Sequence, residues 1–380
     1  MIELSEDELV KLIGTVFPLD ERDRTLAILV DVPRTAAADN QGWRERRAMA
    51  LSWYGSLSRR SASIPMANVF IYGYPAVEVN NAELPAYAYR IDRGLPEAGG
   101  SFESAGERIP FATIFSTTDV FLAPTEYSAT APLKNAARRF GFRAATMPGF
   151  NASMIPALRL DYGEVARRVS LLKAKLDQAE SAEIRFLTDG EREDELFIDL
   201  RRRTAHESSG RFPERGSAGN LPSGEAYIVP YEGEEDESQT SGVMPCQIGD
   251  KVVFYLIESN TAAAVEGEDP LRSMEEKRLQ LEPAYGNLAE LGFGVLSDFG
   301  IEPCGEILLD EKLGLHIAFG RSDHFGGRIG PTDFSSPGAA VHIDRIYIKA
   351  TQPRVETVSV ILNFSSGPEA IMLGSRYMIF

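Results

Sequence analysis

Residues Leu26 to Val32, L-A-I-L-V-D-V, form a short and nearly continuous apolar run. A run of this length without alternation reads as a strand buried on both faces, and such a strand needs helices packed above and below it. The neighbouring segments supply that cover. Trp43 to Arg60 has helical periodicity, with Met49, Trp53 and Leu57 recurring every fourth residue on one side. Ala67 to Tyr72, A-N-V-F-I-Y, is a second buried strand. Phe111 to Ser116 ends a helix, Asp119 to Leu122 is a strand, Pro132 to Phe140 a helix and Arg143 to Met147 a strand. Upstream, Ser5-x-x-Glu8 has the spacing of a capping box and opens a short helix at Glu6. Strands alternating with helices across short loops predict a parallel sheet, so residues 1–180 are expected to be a doubly wound α/β domain. The charged helix from Asp161 to Gln178 is expected to connect it to the C-terminal half of the chain.

This first domain carries no phosphate-binding signature. Gly94 to Gly100, G-L-P-E-A-G-G, lacks the G-x-G-x-x-G order, and no P-loop pattern is present. A scaffold or substrate-covering role is expected for it. At 380 residues, with 43% hydrophobic and 25% charged, the chain has the make-up of a soluble globular protein with room for two cores. A net charge of −17 argues against nucleic acid and against anionic membrane surfaces as partners. The two cysteines, Cys246 and Cys304, have no metal or redox spacing and read as reduced thiols. The acidic start M-I-E-L-S-E-D-E-L-V does not look like a signal peptide, so a cytoplasmic location is expected.

After Ala182 short strands separated by polar stretches predict a β-rich α+β domain over residues 181–380, with strands at Glu183–Leu187, Glu195–Asp199, Glu225–Val229, Lys251–Glu258 and Val358–Asn363. A helix is expected near Pro270 to Leu281. Arg202 to Gly224 reads as a long surface loop with His206 solvated in it. The acidic segment Glu232 to Gly242 lacks calcium-loop spacing and reads as a solvated loop.

Candidate chemistry concentrates between Gly286 and Lys349, which holds His316, His324 and His342, three of the four histidines. In the alternating run Val341 to Lys349, His342 and Asp344 point to one face of a strand, roughly 6.5–7 Å apart along it, and can share a cation. His316 and Glu290 are polar heads in apolar surroundings, where a partner such as a metal is required. Gly219, Pro222 and Gly224 make a turn that delivers Glu225 to the start of a strand. Taken singly, each of these residues has an ordinary structural explanation.

Together, G-N-L-P-S-G-E, A-E-L-G-F-G, D-E-K-L-G-L-H-I-A-F-G and H-I-D resemble the signature blocks of the thermophilic-type metallo-aminopeptidases, the aminopeptidase T and S group, over roughly residues 183 to 350. The resemblance implies a homodimeric peptidase with two divalent ions per chain, zinc, cobalt or manganese. Glu225, Glu290, His316, His342 and Asp344 would be ligands, with Glu290 bridging. Two such ions would activate a water and polarise the scissile carbonyl of a peptide or small-molecule substrate, with Glu225 or Glu290 moving the proton. One position departs from the pattern. The family's tyrosine seven residues after the H-I-A-x-G histidine is replaced by Asp323, followed by His324. His324 has three readings: a catalytic proton donor in place of the phenol, a metal ligand, or a loop hydrogen-bonding group. Arg321 beside it either meets a substrate carboxylate or pairs with Asp323. The alternative is a dioxygenase of the same superfamily, which would hold a single iron(II) on His316, His342 and Asp344. Against it, Ala226 to Met244 contains no pocket histidine. A binding protein that kept the fold and lost turnover is the third reading.

Overall fold

The structure is a computed structural model that describes residues 3–380. It has two compact units. The first runs to Ala166 and also takes in Gly210–Ser223 and Cys304–Leu309; the second comprises Arg167–Ser209, Gly224–Pro303 and Asp310–Phe380. The division falls inside the helix Tyr162–Leu176, before the expected residue 180, and two later excursions return to the first unit. Contact between distant segments decides where a unit ends, and a linear boundary cannot express it.

In the first unit the helix α1 (Glu6–Val16) is opened by the Ser5/Glu8 capping box. The strand β1 (Thr25–Val32) is buried at every residue, as its continuous apolar run requires. The helix α2 (Gln41–Arg59) leads to β2 (Asn68–Pro75), and an antiparallel extension follows through β3 (Tyr87–Ile91) and β4 (Gly106–Pro110). Then come α3 (Phe111–Thr117), β5 (Val120–Thr125), α4 (Thr130–Phe140) and β6 (Arg143–Pro148). The short strand β10 (Ala218–Asn220) adds itself parallel to β6 from later in the chain. The sheet order β10-β6-β5-β1-β2-β3-β4, parallel from β10 to β2, is doubly wound, and the direction of winding reverses between β1 and β5. Each predicted strand and helix of this unit is present, with ends displaced by one to three residues, and the helix expected over Asp161–Gln178 is shorter, Tyr162–Leu176.

The second unit is built on antiparallel sheets. Eight strands form the larger one: β7 (Ser181–Thr188), β8 (Arg192–Asp199), β12 (Ser241–Ile248), β13 (Lys251–Glu258), β14 (Thr261–Gly267), β18 (Val355–Phe364), β19 (Gly367–Leu373) and β20 (Arg376–Tyr377). The smaller sheet has the order β17-β16-β15-β11-β9, from β9 (His206–Ser208), β11 (Glu225–Ile228), β15 (Leu288–Gly294), β16 (Leu315–Gly320) and β17 (His342–Ile346). The expected long loop from Arg202 to Gly224 is therefore interrupted twice, by β9 and β10. Isolated three-residue strands have no periodicity to reveal them; pairing to a neighbour makes them. The architecture is α/β, an N-terminal doubly wound unit followed by a β-rich one. Among the described residues, no helix is long and apolar enough to cross a membrane.

Candidate metal centre

The five-stranded sheet brings together residues that lie up to 119 positions apart in the chain, Glu225 to Asp344. Its register explains how. Glu290 on β15 lies opposite Ala318 on β16, and Ala318 lies opposite Asp344 on β17. Directly opposed residues share a face, so a single small residue separates two carboxylates. A second row crosses the same face: His316 is opposite Gly292, Gly292 opposite Tyr227, and Tyr227 opposite His206 on β9. The glycines of E-L-G-F-G are required by this packing. A Cβ at Gly292 would fall inside the His316 imidazole, and one at Gly294 would collide with the Lys312 carbonyl. Glu225 starts β11; the turn expected from Gly219, Pro222 and Gly224 is not formed as such, because Gly219 lies in β10 and the chain bends at Leu221–Pro222 instead.

The side chains converge as two groups that share Glu290. His316 Nε2 lies 3.3 Å from Glu290 Oε1 and 3.6 Å from Glu225 Oε2. His342 Nε2 lies 3.1 Å from Glu290 Oε2 and 3.5 Å from Asp344 Oδ1. Glu290 thus gives one oxygen to each imidazole. Among the described residues, the metal-capable groups are Glu225, Glu290 and His316, and Glu290, His342 and Asp344, each with its ligand atoms within 4.8 Å of one another. His316, His342 and Asp344 do not make such a group by themselves, because Glu290 stands between the imidazoles.

The far sides of the rings are anchored. Nδ1 of His316 is 3.3 Å from the Gly314 carbonyl, and Nδ1 of His342 is 2.8 Å from that of Arg321. A ring whose Nδ1–H is held by a carbonyl presents the Nε2 lone pair to the site, the usual arrangement behind a metal-bound imidazole. Glu225 Oε2 is buried without a hydrogen-bond partner. A buried carboxylate oxygen left in that state is costly, and a cation would satisfy it. Oxygen and imidazole donors without thiolate suit zinc, manganese, cobalt or iron. The residues present fit a divalent metal.

Protonation states follow from this crowding. Burial alone would lower the His316 pKa, but the hydrogen bond and charge of Glu290, with Glu225 and Asp344, raise it to about 9. His342 is likewise raised well above its ordinary value, burial being outweighed by Asp344 and Glu290. Burial pushes the Glu290 carboxyl up, yet hydrogen bonds from both imidazoles hold it well below the usual carboxylate range. These shifts describe imidazolium–carboxylate pairs standing where a metal would exchange for protons.

Sequence reasoning missed one residue at the heart of the group. Lys312, in the turn Glu311–Leu313 ahead of β16, is 2% exposed, and its ammonium lies 2.5 Å from Glu225 Oε1 while also pairing with Glu311. Burial raises the Glu311 carboxyl to about 8 despite that lysine. Lys312 stands inside the D-E-K-L-G-L-H block, but nothing in a linear motif shows that its side chain folds back beneath a neighbouring strand.

His324 belongs to neither metal-capable group. It sits in the turn Asp323–Phe325, its ring 5.2 Å from that of His342 and nearly perpendicular to it, and 3.9 Å from Phe325. Burial, with His342 and Arg321, lowers its pKa to about 4, so it is a neutral imidazole beside the group. Arg321 pairs with Asp323. His206 is not solvated as expected. Its ring stacks on Tyr227 at 5.4 Å, and Nε2 lies 2.9 Å from the Phe325 carbonyl, so it supports the turn that carries His324. The acidic segment also differs from expectation at its first residue. Glu232 is buried and accepts from Ser322 Oγ (2.5 Å), Asn287 Nδ2 (2.8 Å) and the Arg328 amide (2.5 Å), which ties down the same loop.

No family model matches the chain, and no curated protein matches it. Two solved structures are similar in fold. One is a 2,5-dihydroxypyridine dioxygenase from Pseudomonas putida, with a TM-score of 0.61 and 14% identity over 99% of this chain and 98% of that one. The other is wild-type AmpT from Thermus thermophilus, an aminopeptidase T, with a TM-score of 0.55 and 14% identity over 98% of each chain. The chain shares one α/β two-domain fold with a dioxygenase and an aminopeptidase.

Proposed function

We propose that this chain is a metal-dependent hydrolase that releases amino-terminal residues from short peptides. The observation that carries the reading is Glu290, whose two oxygens face separate imidazole-and-carboxylate groups, the geometry of a bridging ligand. Divalent ions bound there, zinc, cobalt or manganese, supply Lewis acidity and a nucleophilic water at neutral pH. The residues of the chain do the rest. His342 and His316 keep their Nε2 atoms aimed inward through backbone carbonyls on their Nδ1 side. Neutral His324, at the rim of the group, would take a proton from the attacking water and return it to the departing amine. It fills the role that a tyrosine has in the family pattern. The test is a panel of short peptides, free and amino-terminally blocked, incubated with metal-free protein and with protein loaded with each ion. Release of the first residue from free peptides alone is expected; equal loss of blocked peptides or no cleavage overturns the reading.

A second reading has its own support. His206, stacked on Tyr227, and His324 place two imidazoles near the group. The structural likeness to a dihydroxypyridine dioxygenase makes a single iron(II) and ring cleavage the competing chemistry. Oxygen uptake on 2,5-dihydroxypyridine with iron(II), and no peptide cleavage, would establish it in place of the first.

A further inference from the structure

The two halves of the centre are built alike in donors and unlike in charge. Among the described residues, the ion pairs of Glu290 and Asp344 are with imidazoles alone. Glu225 has a lysine ammonium at 2.5 Å, buried to 2% exposure and held between Glu225 and Glu311. That lysine is fixed from behind, since its backbone packs where Gly294 leaves no room for a side chain, and the Gly294 amide donates to the Gly314 carbonyl at 2.9 Å. An imidazole presents a lone pair to a metal and gives way to it. An ammonium has three donors and no acceptor, so it can only compete with a metal for the same carboxylate and repel it. Close like charges in a buried pocket interact far more strongly than at a surface.

We propose that Lys312 is a built-in cation of this centre: its ammonium occupies the Glu225 side, so that Glu290, His342 and Asp344 take the first divalent ion, and Glu225, Glu290 and His316 take a second only weakly. The inference rests on the metal-centre reading above and fixes the order of loading. The free Glu225 Oε2, buried and facing His316, is the one place where a second ion can still enter without expelling the lysine.

The test is a titration of metal-free full-length protein with zinc by calorimetry and with cobalt by visible absorption, neither of which needs turnover. In the wild type the first ion is expected to bind at least about tenfold more tightly than the second. Lys312→Met should strengthen the second step by about tenfold or more while leaving the first within about threefold, and Lys312→Arg should keep the wild-type order. Lys312→Met leaves two carboxylates without their cation and is checked for fold by circular dichroism. The lysine-containing variants decide the matter if it fails to fold. Glu225→Gln should leave the first ion within about threefold, whereas Asp344→Asn should weaken it by about a hundredfold. Two equal ions in the wild type, an unchanged second step in folded Lys312→Met, or a first ion lost equally in Glu225→Gln and Asp344→Asn would each overturn the proposal and leave the metal-centre reading standing. A wild type that binds no ion would overturn both.

Discussion

Both units bury carboxylates, and they use them in opposite ways. In the first unit Asp31, at the C-terminal end of β1, is fully buried and accepts the amides of Glu126 (2.8 Å, to Oδ1) and Tyr127 (3.2 Å, to Oδ2). Those amides follow β5, so Asp31 ties β1 to β5 where the sheet reverses, the place where doubly wound folds commonly receive a ligand. Asp23, equally buried, is held by Arg143 at 2.7 Å and Arg215 at 2.9 Å. Each of these oxygens has a donor fixed by backbone or by guanidinium. In the second unit Glu225, Glu290 and Asp344 face imidazoles and one another, and Glu225 Oε2 has no hydrogen bond. A buried acid with every lone pair matched is a strut. One whose partners are exchangeable protons can trade them for a metal.

The largest expected contrast comes from removing a ligand. His342→Ala or Asp344→Ala should weaken metal binding by on the order of a hundredfold or more, measured by elemental analysis after dialysis. Full occupancy in either variant would place the residue concerned beside Asp31 as a structural group. His324→Gln should keep the metal and lower turnover by roughly two orders of magnitude, read from peptide assay and metal content together. Loss of metal in that variant would make His324 a ligand, and unchanged turnover would leave it a loop residue.

The pH dependence of loading separates the units further. Binding needs neutral imidazoles, and His316 is raised to about 9 while His342 is raised well above its ordinary value. Metal affinity should therefore rise with pH up to about 9, by about tenfold per unit for each proton displaced. In the metal-free protein the sign is reversed. His316 has a folded pKa above its unfolded value, so its pairing stabilises fully below about 6.5 and is lost as pH rises through about 9. Thermal melts with and without zinc across pH 6–10 should diverge. Parallel curves would mean that no protons are exchanged.

Gly292→Ala probes the packing behind the site. Its Cβ would enter the His316 ring, so the expected outcome is about 1–3 kcal/mol of lost stability and a weakened second metal step, by chemical denaturation and titration. A neutral result would show that the ring can shift without consequence.

The fold of the first unit was legible because Leu26–Val32, short and apolar but for Asp31, is buried at every residue; Ala67–Tyr72 is a strand as expected, but it is exposed or half-buried up to Phe70 and buried only from Ile71 on. The five acidic and imidazole positions of the second unit were legible as a set of motifs, and the register of its small sheet brings them together. The lysine was not. Nothing in its motif marks Lys312 out, and its burial depends on Gly294 and Glu225, neither of them near it in sequence. His206 was misread for a related reason: a three-residue strand acquires its place by pairing with Tyr227's strand, not by any local pattern. Glu232 looked like the start of a solvated acidic run because hydrogen bonds from Ser322 and Asn287 cannot be seen from composition.

The smallest expected effect is at Asp31, and its sign changes the meaning of a buried acid. Burial raises this carboxyl to about 7, against an unfolded value near 4, although two amide hydrogen bonds oppose the shift. A raised carboxyl stabilises fully below the unfolded pKa and loses that contribution as pH rises through the folded one, here between about 4 and 7. In Asp31→Asn one oxygen still accepts an amide, but the new NH2 faces the other amide N–H and cannot accept from it. Below pH 5 the variant should be less stable than wild type by about 1–2 kcal/mol, the cost of one unmatched buried donor. Above pH 7 the wild type carries a desolvated charge that the variant lacks, so the difference should shrink and change sign. Metal content should stay at the wild-type value throughout. Urea unfolding at pH 5 and pH 8 measures the difference at each end. A gap that is the same at both pH values would mean that Asp31 is ionised at both and is held by its amides more firmly than burial opposes it.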